Sequence, residues 1–156
     1  MRKLLVVVLL LATTFTAAFA EDAFEKQVKI GRDKSGMTWW LIDYGFTSSN
    51  PYAIARKYYT SEAGREEAID ILTSRYSVKQ KKAESLYFTE YRYEYTSDYE
   101  RVAEVYRRYY DQKGRLICGL EFDGSTSAQK KTYTKVVKNS IQSKGLAYAT
   151  GKLKKK

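Results

Sequence analysis

The run over residues 86–96, Leu-Tyr-Phe-Thr-Glu-Tyr-Arg-Tyr-Glu-Tyr-Thr, constrains the fold more than any other part of this chain. In an extended backbone successive side chains point to opposite sides, so Tyr87, Thr89, Tyr91, Tyr93 and Tyr95 would share one face and Phe88, Glu90, Arg92 and Glu94 the other. No helix sorts the same residues so cleanly. A strand with one aromatic side and one charged side needs neighbours, and the next stretch supplies them. Val102, Val105, Tyr106, Tyr109 and Tyr110 also fit a helical spacing. Their β-branched and aromatic character, the turn Asp111-Gln112-Lys113-Gly114 and a run over 115–122 favour a hairpin instead.

The rest of the chain extends the same pattern. Residues 27–32 alternate Val28 and Ile30 with polar residues, Asp33-Lys34-Ser35-Gly36 is a turn, and 37–44 is rich in Trp39, Trp40, Leu41 and Ile42, giving a second hairpin. Residues 45–51 concentrate turn formers around the single Pro and predict a loop before a strand over 52–59. Ser61 is an N-cap candidate for a helix over 62–76, with Ala68, Ile69, Leu72 and Tyr76 on one face. A second helix is predicted over 128–143, with Tyr133, Val136, Val137 and Ile141 on one side and Lys131, Lys135, Lys138 and Gln142 on the other, ended by Gly145. These elements make an α+β domain over 21–150, of about six mainly antiparallel strands with two flanking helices. A basic tail over 151–156 is expected to be disordered.

Arg2 and Lys3, the apolar stretch over 4–12 and Ala18-Phe19-Ala20 form the three parts of a secretory signal over 1–20. The uncharged run over 4–20 is 17 residues, at the short limit of a span, so an uncleaved anchor is the alternative. Position 21 is Glu, not the Cys that carries a lipid in bacterial lipoproteins. Export to the periplasm, cell surface or medium is therefore expected. The lone Cys118 has no partner for an internal disulfide, and its neighbours Leu116, Ile117 and Leu120 favour burial over pairing between chains.

The chain has no His, which removes Ser-His-Asp triads, Cys-His pairs and imidazole metal sites, and one Cys cannot build a thiolate cage. There is no glycine-rich phosphate loop and no calcium-loop spacing, so no cofactor and no metal are expected. Carboxylate pairs can hydrolyse glycosides, but Glu90, Glu94, Asp98 and Glu100 are interleaved with Arg92 and Arg101, as on an ion-paired sheet face. A non-enzymatic chain is expected.

Two features point to binding. The chain holds 15 Tyr, of which Tyr87, Tyr91, Tyr93 and Tyr95 form either an aromatic contact surface or the core under the helices. There are 28 Lys and Arg against 18 Asp and Glu, a net charge of +10, and beyond residue 124 there are nine Lys and no acid. Lys131, Lys135 and Lys138 with Lys152, Lys154, Lys155 and Lys156 could attract an anionic polysaccharide, an acidic protein or an anionic membrane surface. An exported chain does not meet nucleic acid as its normal partner.

The order of these motifs resembles the surface-adhesin protein E family of exported bacterial proteins. The resemblance is carried by Val28-Lys29-Ile30-Gly31, the Asp33-Lys34-Ser35-Gly36 turn before Trp39-Trp40-Leu41-Ile42-Asp43, the Tyr109-Tyr110-Asp111-Gln112-Lys113-Gly114-Arg115-Leu116-Ile117 hairpin, and the closing segment from Lys131-Thr132-Tyr133 to Ser140. It covers most of the chain after residue 20. It implies an antiparallel sheet flanked by helix, dimerisation in some members, and adhesion to host matrix proteins. This chain departs from the family in its unpartnered Cys118, in lacking Pro in the closing segment and in lacking the lipoprotein cysteine. The expectation is an adhesin-like binding protein of the envelope or surface, with a periplasmic housekeeping or inhibitor-type protein as the alternative.

Overall fold

The computed structural model describes residues 27–153. Six strands follow one another as an antiparallel meander: β1 (Val28–Arg32), β2 (Thr38–Thr47), β3 (Asn50–Tyr58), β4 (Leu86–Tyr95), β5 (Arg101–Asp111) and β6 (Leu116–Glu121). A two-residue strand, β7 (Thr134–Lys135), pairs with β5 at Arg101 and Val102, beyond the stretch that β6 occupies. Helix α1 (Glu62–Tyr76) and the single-turn α2 (Gln80–Ala83) lie between β3 and β4, and α3 (Ile141–Ala149) follows β7. This is the α+β architecture that the sequence predicts, and the run over 101–111 is a strand.

Register follows from the alternation along β4. Leu41, Ala55, Tyr91, Arg107 and Leu120 form one cross-strand row, and Trp40, Arg56, Glu90, Arg108 and Gly119 form the next. A strand period of two sends these rows to opposite faces. The first face is covered by helices. Trp39, Leu41, Ala53, Ala55, Tyr93, Tyr95 and Val102 are buried there, with Ile141 and Leu146 of α3 packed on them. Beside this cluster, Ala68, Ile69 and Leu72 of α1 pack with Leu86, Tyr109 and Ile117. Ser61 caps α1 by accepting a hydrogen bond from the Gly64 amide at 3.4 Å.

Two local expectations are corrected. Residues 45–51 are not a loop, because β2 and β3 meet at a two-residue turn, Ser48-Ser49, with Ser48 left-handed at φ 58°. Pro51 is accommodated because β3 starts to pair with β4 only at Tyr52, so its missing N–H interrupts no bond to that strand.

Residues 128–143 are not one helix. A 3₁₀ turn (Ser127–Gln129) leads into extended chain and β7, and helix begins only after Asn139, at φ 63°, and Ser140, whose hydroxyl accepts from the Ser143 amide at 3.0 Å. Thr132, Thr134, Val136 and Val137 are β-branched and stiff at χ1, which favours the extended form. Lys131, Lys135 and Lys138 therefore share no helix face, and Gly145 is inside α3 rather than past its end. The predicted signal over 1–20 and Lys154, Lys155 and Lys156 lie outside the described residues.

Candidate functional site

The face opposite the helices is built of rings and ion pairs in register. Phe88 stacks on Tyr110, with centroids 4.9 Å apart and planes 20° from parallel. The Arg56 guanidinium lies 4.7 Å over Phe88 while its Nε donates to Glu90 at 2.8 Å. Glu90 also accepts from the Tyr106 hydroxyl at 3.0 Å, and Arg108 covers the Tyr106 ring at 4.1 Å while donating twice to Glu121, at 2.9 and 2.7 Å. Further along the same face Arg92 lies 4.9 Å over Tyr52, whose hydroxyl donates to Asp43 at 3.0 Å. Cross-strand pairing fixes these partners, since Arg56 is opposite Glu90, Glu90 opposite Arg108, and Phe88 opposite Tyr110.

Charge on this face is compensated in place. Burial would lower the Arg56 guanidinium, but Glu90 holds it above its ordinary value. Burial would raise the Glu94 carboxyl, but the Lys131 ammonium at 2.5 Å and the Tyr133 hydroxyl at 2.7 Å hold it below. Burial and the neighbouring Glu90 push the Tyr106 phenol up, which keeps it a neutral donor.

Where β4 begins, a bulge between Leu86 and Phe88 turns Tyr87 outward, and it is 46% exposed. Its ring meets Tyr58 edge-on at 5.8 Å. Trp40, Arg56, Tyr58, Tyr87, Phe88 and Gln112 line a groove of about 440 Å³ at this end of the sheet. Its four rings share the wall with Gln27, Thr38, Arg56, Thr60 and Gln112, the mixture of apolar and polar groups found where ligands and partner side chains seat.

The aromatic surface predicted on Tyr87, Tyr91, Tyr93 and Tyr95 is divided by the fold. Tyr93 and Tyr95 are buried on the helix-covered face, Tyr95 against α3, while Tyr91 is half-buried and stacks on Tyr93 at 6.0 Å, and of the four only Tyr87 is exposed. These rings fill a core that has few Leu and Ile, because their strand face is the one that the helices cover. The accessible ring-lined groove is instead on the side of β4 that carries Phe88, with Trp40 and Tyr58 from β2 and β3. The phase of Tyr52, Ile54, Arg56 and Tyr58 against Phe88, Glu90, Arg92 and Glu94 was the signal that could have located it.

The lysines are dispersed as well. Lys131 is docked on Glu94, whereas Lys135, Lys138 and Lys152 are exposed on β7, a turn and the end of the described chain. Glu90 and Glu94 are each held by a cation and a tyrosine. Among the described residues, no three His, Cys, Asp or Glu side chains come together as metal ligands. Cys118 is half-buried against the cluster under α1, and burial pushes its thiol up. No protein-family model, curated protein or solved structure matches this chain.

Proposed function

We propose that this chain is an exported, non-enzymatic binding protein of the bacterial envelope or surface, adhesin-like, which seats a protein partner on the groove of Trp40, Tyr58 and Tyr87. The observation that carries the reading is that groove, where the exposed Tyr87 ring and the half-buried Trp40 and Tyr58 rings sit beside a guanidinium stacked on Phe88. Trp, Tyr and Arg are the residues that contribute most at protein contacts. Arg56, the one cation lining this groove, is neutralised by Glu90, so the groove itself offers no unpaired cation to an anionic polysaccharide. Such a polymer fits Lys135, Lys138 and the basic end better, as a second and salt-sensitive contact. The signal-like pattern over 1–20 and the resemblance to the surface-adhesin protein E family support export and adhesion.

Protease treatment of intact cells, followed by immunodetection, tests the location. Digestion is expected, and full protection would move the partner to the periplasm and favour a housekeeping or inhibitor-type role. Matrix proteins and heparin are then assayed against the wild type, Y58A/Y87A and K135E/K138E. The groove reading expects Y58A/Y87A to weaken protein binding by about tenfold or more with the fold intact. Unchanged binding in that variant would overturn it.

A further inference from the structure

A second surface lies at the end of the sheet, between α2 and the β5–β6 turn. Lys79, Lys81, Lys82 and Arg115 surround a groove of about 660 Å³ with Leu116 and Ile117. Lys82 is fixed there, since its ammonium donates to the Ile117 carbonyl at 2.9 Å. Lys79 and Lys81 are exposed and take part in none of the salt bridges among the described residues.

Counter-charge is scarce. Asp111 is the one carboxylate lining the groove, and it is spent on the turn: it accepts from the Lys113 and Arg115 amides at 2.9 Å each and from Arg115 Nε at 2.7 Å. Glu84 stands nearby on the next depression and accepts from Gln80 at 2.9 Å. Amid these cations Leu116 is 51% exposed. A leucine without cover, ringed by long cationic side chains, suits a surface that is anionic on its outside and apolar just beneath. A soluble polyanion would use the cations and leave Leu116 in water.

We infer that this edge docks the protein peripherally on an anionic lipid surface, with Lys79, Lys81 and Lys82 at the headgroups and Leu116 entering below them. The site is separate from the ring-lined groove and does not depend on what that groove binds. Each cation near such a surface contributes about fivefold in affinity, and the contribution is lost at high salt.

The test is flotation of the purified protein with vesicles of phosphatidylcholine, with and without phosphatidylglycerol as one lipid in three. Binding to the anionic vesicles is expected to be about tenfold or more above binding to the neutral ones. It should fall by a similar factor in K79E/K81E, fall measurably in L116S, and persist in the charge-matched K135E/K138E. L116S reads the same edge without altering charge. Equal loss in both lysine variants would show that net charge alone is responsible and would overturn the site. Indifference to K79E/K81E would overturn it too, as would retention on heparin with no flotation, which would make the ligand a soluble polyanion.

Discussion

Gly145 rests directly against Tyr95: a Cβ at the glycine would lie 2.9 Å from the tyrosine hydroxyl and 3.0 Å from the Ala53 Cβ. The same hydroxyl donates to the Gln142 carbonyl at 2.7 Å, one turn earlier in α3. The helix is thus held close to β3 and β4 by a residue with no side chain, a small one opposite it and a phenol that is 0% exposed.

Gly145→Ala tests that approach. Helix propensity alone would favour alanine by about 1 kcal/mol, whereas overpacking a filled core costs about 1–3 kcal/mol. A net loss of about 1 kcal/mol is expected in urea unfolding, with a larger one for Gly145→Val. A gain in stability with alanine would mean that α3 has room to move off the sheet.

Glu94 makes stability pH-dependent. Its folded carboxyl is held below the ordinary value of 4.5, so its contribution is complete above that value and is lost as pH falls through the lower, folded one. Glu94→Gln should cost about 1 kcal/mol at neutral pH, and the difference from wild type should shrink towards pH 3. Parallel stability curves for the two proteins would contradict the assignment.

Arg56 and Glu90 are coupled across the β3–β4 pair, with side-chain exposures of 28% and 12%. Glu90→Ala strands both Arg56 and the Tyr106 hydroxyl and should cost about 2 kcal/mol. Arg56→Met in the Glu90→Ala background should cost less than it does in the wild type. A double-mutant cycle with no coupling would reduce the pair to coincident neighbours.

Cys118 should react slowly. Burial raises its thiol, so little thiolate is present at neutral pH and access is restricted. Reaction with a chromogenic disulfide is expected to be about tenfold slower in the native protein than in urea. Equal rates would place the thiol at the surface.

How much of this was legible in the sequence differs between elements for physical reasons. β4 and α1 are driven by strong local patterns, alternation in one and a capped apolar face in the other, and both lie where the sequence put them. The 128–143 segment misled because its Tyr, Val and Lys residues also satisfy a helical period, whereas the start of α3 is set by Ser140 and its closeness to the sheet by the contact of Gly145 with Tyr95 and Ala53. A glycine needed for tertiary approach looks the same in sequence as one that ends a helix. The candidate site was half legible: the ring-rich strand was found, but choosing its outward face required knowing which rows the helices cover. The groove itself depends on the bulge that frees Tyr87, and nothing in the alternation of 86–96 marks that bulge.

The Lys144 ammonium donates to the Ile30 carbonyl at 2.7 Å, across 114 positions of sequence. The six meander strands pair with their neighbours and can zip together as the chain emerges. The apolar side of β1, β2 and β3 nevertheless stays wet until residues 141–149 arrive to close it. Completion is therefore a late event: a nascent chain halted before α3 would present Leu41, Ala53 and Tyr95 to chaperones and proteases, and quality control would act on that interval.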